Sequence, residues 1–286
     1  MEKYGLVLEG GGVRGAYTAG ALNWLLDHDI HFDYGVGVSS GAVYLVCYWL
    51  GDKETGHQMA VEYATDPENV GVSAFLKEGH YVAYEHMFRE SFGKKAKIDV
   101  TPLRDSHANI EFGLYDLELG RTIYKGSEGL DNTYNLLRAS CALPVASAIV
   151  ELDGHHYLDG GITKMIPIER SVEVGCTKHL IITTKPADYV RKPANNAVKL
   201  MMKVIYRDYP SVLEDYKVRH LNYYKQIALI SELEEQGNAL KIYPSKNMPI
   251  SRWKGNPKDC ETLYQLAYAD MDAQKDRILR FMGKSE

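Results

Sequence analysis

Two apolar runs, each stopped by a glycine-rich loop and each followed by an apolar segment of longer period, constrain this chain more than any other feature. Residues 4–9 read YGLVLE, a short buried strand, and GGGVRG at residues 10–15 breaks it. The next segment, AYTAGALNWLLDHD, carries Ala16, Ala19, Leu22, Leu25 and Leu26 at helical spacing. FDYGVGV then reads as a second strand that ends at Ser39-Ser40-Gly41. GAVYLVCYWLG follows and is apolar nearly all round, the signature of a helix buried inside a domain. The order β-α-β-α implies parallel strands joined by a right-handed crossover. In such a unit both glycine loops emerge at the C-terminal edge of the sheet.

The rest of the chain fits a single large α/β domain with an extension. Residues 52–98 are polar, mixed and helical in character. NIEFGLYDLELGRTIYKG, residues 109–126, reads as a hairpin turning near Leu119-Gly120. DNTYNLLRASCALP reads as a helix that ends before Pro144. SAIVELDGHHYLDGG has Asp153-Gly154 between alternating apolar residues, a two-residue hairpin signal. PIERSVEVG reads as a short helix and KHLIITTKP as a further buried strand. After Lys185 the pattern changes to polar-aromatic helices, over about 195–209, 211–236 and 258–282. The expected domain limits are 1–186 and 187–286.

Composition excludes some classes. A formal net charge of -5 disfavours nucleic acid as a partner. No window approaches the roughly 20 apolar residues of a spanning helix. The opening apolar run is too short for a secretory signal. Cys47, Cys141, Cys176 and Cys260 are far apart and form no C-x-x-C, so neither a zinc site nor a disulfide framework is expected. A reducing, cytoplasmic location is the expectation, with no metal or cofactor. The 21 tyrosines against 6 phenylalanines suggest half-wet surfaces. Nothing in the sequence sets an oligomeric state.

GGGVRG also matches the dinucleotide fingerprint G-x-G-x-x-G, with Gly10, Gly12 and Gly15 as its glycines. That fingerprint needs an acid at the end of the second strand to hold a ribose. Here the strand ends in serines, and Asp29 and Asp33 lie at its wrong end. The second loop fits G-x-S-x-G as Gly37-Val38-Ser39-Ser40-Gly41, which selects Ser39 over Ser40. A strand before it and an apolar helix after it are the setting of a nucleophile elbow; a tight turn without chemistry is the plainer alternative. Gly10, Gly11 and Gly12 on the neighbouring strand offer backbone N–H groups as a nest for a developing oxyanion.

A serine needs a base. None of the ten histidines sits in an informative setting. His155 and His156 alternate faces, so one of them at most points inward, and His179 begins a strand. Asp159 ends an apolar strand before Gly160-Gly161, which leaves its carboxylate accessible; a polar turn is the alternative.

LEGGGVRGAYTAGAL, GVGVSSGA and LDGG together resemble the blocks of patatin-like phospholipases, bacterial ones in particular: G-G-G-x-R-G, G-x-S-x-G and D-G-G, in that order. The resemblance extends over about residues 4–186 and fades beyond. It implies a three-layer α/β/α domain with a mainly parallel sheet, followed by a helical C-terminal region. It also implies a Ser39–Asp159 dyad without histidine, and an oxyanion loop of Gly10, Gly11, Gly12 and Arg14. The activity implied is hydrolysis of lipid acyl esters. Alternatives on the same fold are acyl transfer through the same acyl-enzyme and lipid binding without hydrolysis. Arg14 either braces the loop or recognises a substrate phosphate. Glu9 stands where plant patatins often carry Asp, with no catalytic consequence expected. Residues 185–225 hold nine basic and four acidic side chains, and Leu200, Met201, Val204 and Ile205 fall near one helix face. Both features suit peripheral contact with an anionic membrane, or else an ordinary helix packed on the domain.

Overall fold

The computed structural model describes residues 2–284. Eight strands form one sheet: β1 (Tyr4–Leu8), β2 (Tyr34–Val38), β3 (Ile110–Asp116), β4 (Arg121–Gly126), β5 (Val150–Leu152), β6 (His155–Asp159), β7 (Lys178–Ile182) and β8 (Ala239–Ile242). The strand order is β5-β6-β3-β2-β1-β7-β8, with β4 also paired to β3. β1 pairs parallel with β2 and β7, β2 with β3, and β7 with β8, whereas β3–β4, β3–β6 and β5–β6 are antiparallel. The sheet is therefore mixed, with its parallel part at the centre.

Among the described residues, twelve α-helices accompany it: α1 (Gly15–Asp27), α2 (Ser40–Trp49), α3 (Lys53–Val61), α4 (Val72–Glu78), α5 (Tyr84–Met87), α6 (Thr101–Asp105), α7 (Asn135–Cys141), α8 (Ile168–Glu173), α9 (Asn196–Ile205), α10 (Pro210–Glu235), α11 (Pro257–Ala273) and α12 (Lys275–Phe281). A π-helical segment, Phe88–Ala96, continues from α5.

Strand alternation divides the core into two layers of side chains. On β1, Leu6 and Leu8 enter the larger cluster with Ala16, Leu22 and Leu45, while Val7 enters the smaller one with Ile168, Tyr223 and Ile230. Helices α1, α2 and α11 thus cover one face, and α8 and α10 the other. This is the expected three-layer architecture. α1 is buried throughout residues 15–25 because α11 packs on its outer side. Gly20 permits that contact, since a Cβ there would lie 2.4 Å from the Tyr264 carbonyl oxygen.

The Asp153-Gly154 turn is present, with positive φ at both residues (56° and 78°), as a type I′ turn requires. The sequence reading did not anticipate β8, whose four residues, ALKI, are too few to show alternation. Only its parallel register with residues 179–182 makes it a strand. The helix expected over 258–282 is interrupted at Gln274. Among the described residues, no helix is long and apolar enough to cross a membrane.

Candidate active site

Strand β3 is the ruler on which the site is measured. Its first half pairs with β2 and its second half, along the same flank, with β6, which runs the opposite way. Val38, the last residue of β2, lies opposite Gly113, and Asp159, the last residue of β6, lies opposite Leu114. Two strands therefore end head to head, and Ser39 and Asp159 emerge at their junction. Glycines make the junction close. A Cβ on Gly113 would lie 2.7 Å from Val38 Cγ2, and one on Gly160 would lie 2.6 Å from the Gly113 carbonyl.

Ser39 has φ 57° and ψ -130°, a strained conformation for a residue with a Cβ. It stands at the N-cap of α2, the placement expected of an elbow. Gly37 and Gly41 are packed so tightly that a Cβ on Gly37 would lie 2.6 Å from the Gly41 carbonyl carbon, and one on Gly41 would lie 2.7 Å from the Leu8 oxygen. The end of α7 ties the two strand ends together. Ser140 Oγ accepts from Ser39 N–H at 3.2 Å and donates to the Gly113 carbonyl at 2.8 Å, and the Ala142 carbonyl accepts from Asp159 N–H at 2.7 Å.

Asp159 is 3 % exposed. Burial raises its pKa, while the Gly161 N–H bond (2.7 Å), the facing Ser39 hydroxyl, Arg219 and Arg252 act in the opposite direction. No well-formed hydrogen bond yet joins the Ser39 hydroxyl to this carboxylate among the described residues. Such bonds often close only when substrate arrives. The Cys141 thiol is also near Ser39, and burial holds its pKa well above the ordinary value, so it stays a protonated, weak nucleophile.

The glycine loop lies against the serine, since a Cβ on Gly10 would meet Ser39 Cβ at 2.9 Å. Its amides are not equivalent. Gly10 N–H donates to the Met165 carbonyl (3.2 Å), and Gly11 N–H to Ser40 Oγ (2.9 Å). Gly12 opens a 3-10 turn at φ +60°, so its N–H has no partner within that turn. The Arg252 carbonyl covers Gly12 at a distance that would leave a Cβ only 2.4 Å away, and it accepts from Val13 N–H at 3.3 Å.

Glu9 anchors the loop from below. It is fully buried and contacts Lys185 Nζ, and it accepts from Thr184 N–H at 2.7 Å and from Thr184 Oγ1 at 3.0 Å. Lys185 and Thr184 hold its pKa below the usual value in spite of burial, and burial with nearby Arg14 pushes Lys185 down to about 7. Arg14 makes no ion pair with this acid. Its Nε is buried without a hydrogen-bond partner.

Two cavities meet at Ser39. One is apolar and is lined by Val43, Met59, Val82, Tyr84, Phe88 and Phe92. The other is polar and is lined by Gly10–Gly12, Arg14, Asp159, Gly161 and the cations Lys185, Arg191, Arg219 and Arg252. No histidine lines either cavity. His155 bonds Asp116 at 2.8 Å, His156 bonds Glu118 at 2.6 Å, and His179 is buried against Ser171 Oγ at 2.8 Å with its pKa lowered to about 4. Asp116, Glu118 and His155 also form a group of potential metal ligands that the sequence did not suggest. Within it His155 already bonds Asp116, while Glu118 bonds His156.

Sequence reasoning did not single out Gly113, Ser140, Cys141, Arg191, Arg219 or Arg252 as site residues. Arg219 and Arg252 lie more than fifty residues beyond the last motif, and only the fold returns them.

A family model described as patatin-like phospholipase matches residues 6–171, more than half of the chain. A second, described as a domain of unknown function (DUF6363), matches residues 209–283. An uncharacterized protein of Escherichia coli K12, YjjU, is 27% identical over 203 residues, covering 66% of this chain and 54% of its own length. The probable lipid hydrolase 463L of Invertebrate iridescent virus 6 is 23% identical over 213 residues, covering 60% of this chain and 69% of its own. The chain thus spans about half the length of the bacterial relative. Among solved structures, VipD from Legionella pneumophila superposes with a TM-score of 0.45 at 12% identity, over 94% of this chain and 67% of that one. On the match of residues 6–171, this chain belongs to the patatin-like phospholipase family.

Proposed function

We propose that this chain is a lipid acyl hydrolase that uses a Ser39–Asp159 dyad. Ser39 Oγ attacks the acyl carbonyl while the Asp159 carboxylate takes its proton. The carbonyl oxygen, now negative, is held at the glycine loop, chiefly by the Gly12 N–H, which has no partner within its turn, with Arg14 nearby. The alcohol leaves with the proton from Asp159, and water then repeats the sequence on the acyl-enzyme. The observation that carries this reading is the head-to-head ending of β2 and β6, which puts one serine and one buried carboxylate at a shared cavity wall with no histidine lining it. The raised Asp159 pKa suits a base, since a more basic carboxylate is better matched to proton transfer. The apolar cavity beside Ser39 offers room for an acyl chain.

Peripheral contact with a lipid surface fits the same reading. Leu200 (65 %), Val204 (68 %) and Ile205 (51 %) on α9 are exposed, as are Phe75 (62 %) and Leu76 (81 %) on α4. Lys199 and Lys203 flank the α9 patch. Val198 on α9 lines a pocket with Asp159 and Arg219, and Phe75 lines one with Trp253. The α9 patch thus adjoins a pocket that reaches Asp159, and the α4 patch one that shares Trp253 with the apolar cavity.

The test is covalent labelling with a fluorophosphonate, together with hydrolysis of p-nitrophenyl esters of increasing chain length. Wild type should be labelled at Ser39 and should prefer longer chains. Labelling that persists in Ser39→Ala sinks the assignment.

A further inference from the structure

The polar cavity carries more positive charge than ester hydrolysis requires. Its lining includes Arg14, Lys185, Arg191, Arg219 and Arg252, and Asp159 is its one acid. Lys185 is neutralised by Glu9. Among the described residues, the four guanidinium groups have no carboxylate within 4.0 Å. Three of them lie over aromatic rings instead. Arg191 is 5.1 Å from the Tyr223 ring centroid and 5.9 Å from that of Tyr189, Arg219 is 5.3 Å from Tyr216, and Arg252 is 5.1 Å from Trp253. The Nε atoms of Arg14 and Arg191 are buried without partners. Burial, then repulsion from Arg191 and Arg252, lowers the Arg219 pKa to about 10, while Tyr216 and Asp159 act in the opposite direction.

Guanidinium forks match tetrahedral oxyanions in geometry and charge. Three of these arginines, Arg191, Arg219 and Arg252, lie outside the patatin-like segment, and two of them lie within the segment matched only to a domain of unknown function. Ser39, Gly12 and Arg252 line both cavities. A molecule with an acyl chain in the apolar cavity and its ester at Ser39 would therefore place its other end among the arginines.

We propose that the arginine-lined cavity binds the phosphate of an anionic phospholipid, and that residues beyond the patatin-like segment thereby select headgroups whose phosphate carries no cationic amine. A choline or ethanolamine would bring positive charge into a cavity whose single lining acid is buried beneath the substrate. The inference rests on the hydrolase reading above.

The test compares kcat/KM for three short-chain substrates: dihexanoyl phosphatidic acid, dihexanoyl phosphatidylcholine and dihexanoylglycerol. Wild type should favour the phosphatidic acid over the phosphatidylcholine by at least about tenfold, the scale of one charge-assisted bond. In Arg191→Gln and in Arg252→Gln, checked for folding by thermal melts, that ratio should fall toward one. Arg219→Gln is a poorer probe, because Arg219 Nε also holds the Gly161 carbonyl at 2.6 Å. A wild-type ratio near one, or a ratio that survives both substitutions, overturns the proposal. Inorganic phosphate separates the sources of the anion. If it binds and inhibits while phosphatidic acid is not preferred, the cavity holds a free anion and the headgroup assignment falls. Calorimetry with Ser39→Ala reads phosphatidic acid binding without turnover. Binding there by a protein whose wild type hydrolyses no ester would overturn the hydrolase reading and keep the anion site. Hydrolysis of neutral esters with no anionic preference would do the reverse.

Discussion

Asp159→Asn separates a catalytic carboxylate from a structural one, because the two roles predict opposite effects on stability. Asn keeps the shape and the oxygen that accepts from Gly161 N–H, but it cannot take a proton. General-base assistance is typically worth about 100- to 10,000-fold, or about 2.7–5.4 kcal/mol of barrier. Ester hydrolysis should therefore fall at least about 100-fold by that measure. Stability should not fall with it. The carboxyl's folded pKa is raised, so the folded state binds more protons than the unfolded one between the unfolded and the folded pKa. Ionised burial thus costs stability, increasingly as pH rises through that window and in full above it. Asn removes the cost. Its melting temperature should equal or exceed that of wild type at pH 7, and the difference should shrink below the unfolded pKa of about 4. The assays are p-nitrophenyl ester kinetics and thermal melts at both pH values. In wild type the acid limb of kcat/KM should lie above the ordinary carboxylate range. Activity within tenfold of wild type would refute the role of Asp159. So would a well-folded His155→Ala, His156→Ala variant as inactive as Asp159→Asn.

Ser40→Ala should keep labelling at Ser39 but lose up to about tenfold in rate, since it removes one neutral hydrogen bond, to Gly11 N–H. Unchanged kinetics would show that this bond does not hold the loop. Gly12→Ala adds a side chain at φ +60° against the Arg252 carbonyl. The conformation costs roughly 1–2 kcal/mol and the overlap roughly 1–3 kcal/mol, so both Tm and activity should drop, whereas a wild-type Tm contradicts the packing described. Flotation with anionic vesicles should recover wild type at low salt and release it at high salt. Leu200→Asp with Val204→Asp should weaken recovery, and equal recovery on neutral vesicles would sink the proposed membrane contact.

Much of this fold could be read from the chain because its central elements obey simple periods. The two strand-loop-helix units, both hairpins and their turns announce themselves over five or more residues. The sheet's far flank does not, for β8 is too short to show a period. The candidate dyad was legible as two separate motifs, but not their meeting. That depends on β2 and β6 ending at adjacent rungs of β3, and on Ser140, which carries no motif. The exposed face of α9 was visible as a cluster of apolar residues, yet the same spacing would serve a buried face. The arginine cluster was illegible for a different reason: Arg191, Arg219 and Arg252 come from two loops and a long helix, and isolated arginines at such spacing look like solvated surface.

The pairing of β8 with β7 determines how the chain can be divided. Leu180, Ile181 and Ile182 are fully buried, with β1 on one side and β8 on the other. A fragment ending at residue 186 would bare the second side as an unpaired, apolar parallel edge. Such an edge is a template on which another copy's strand can add, and natural sheets shield it. The last hundred residues thus act as a cover strip as well as part of the site wall, keeping each molecule from becoming the first rung of an aggregate.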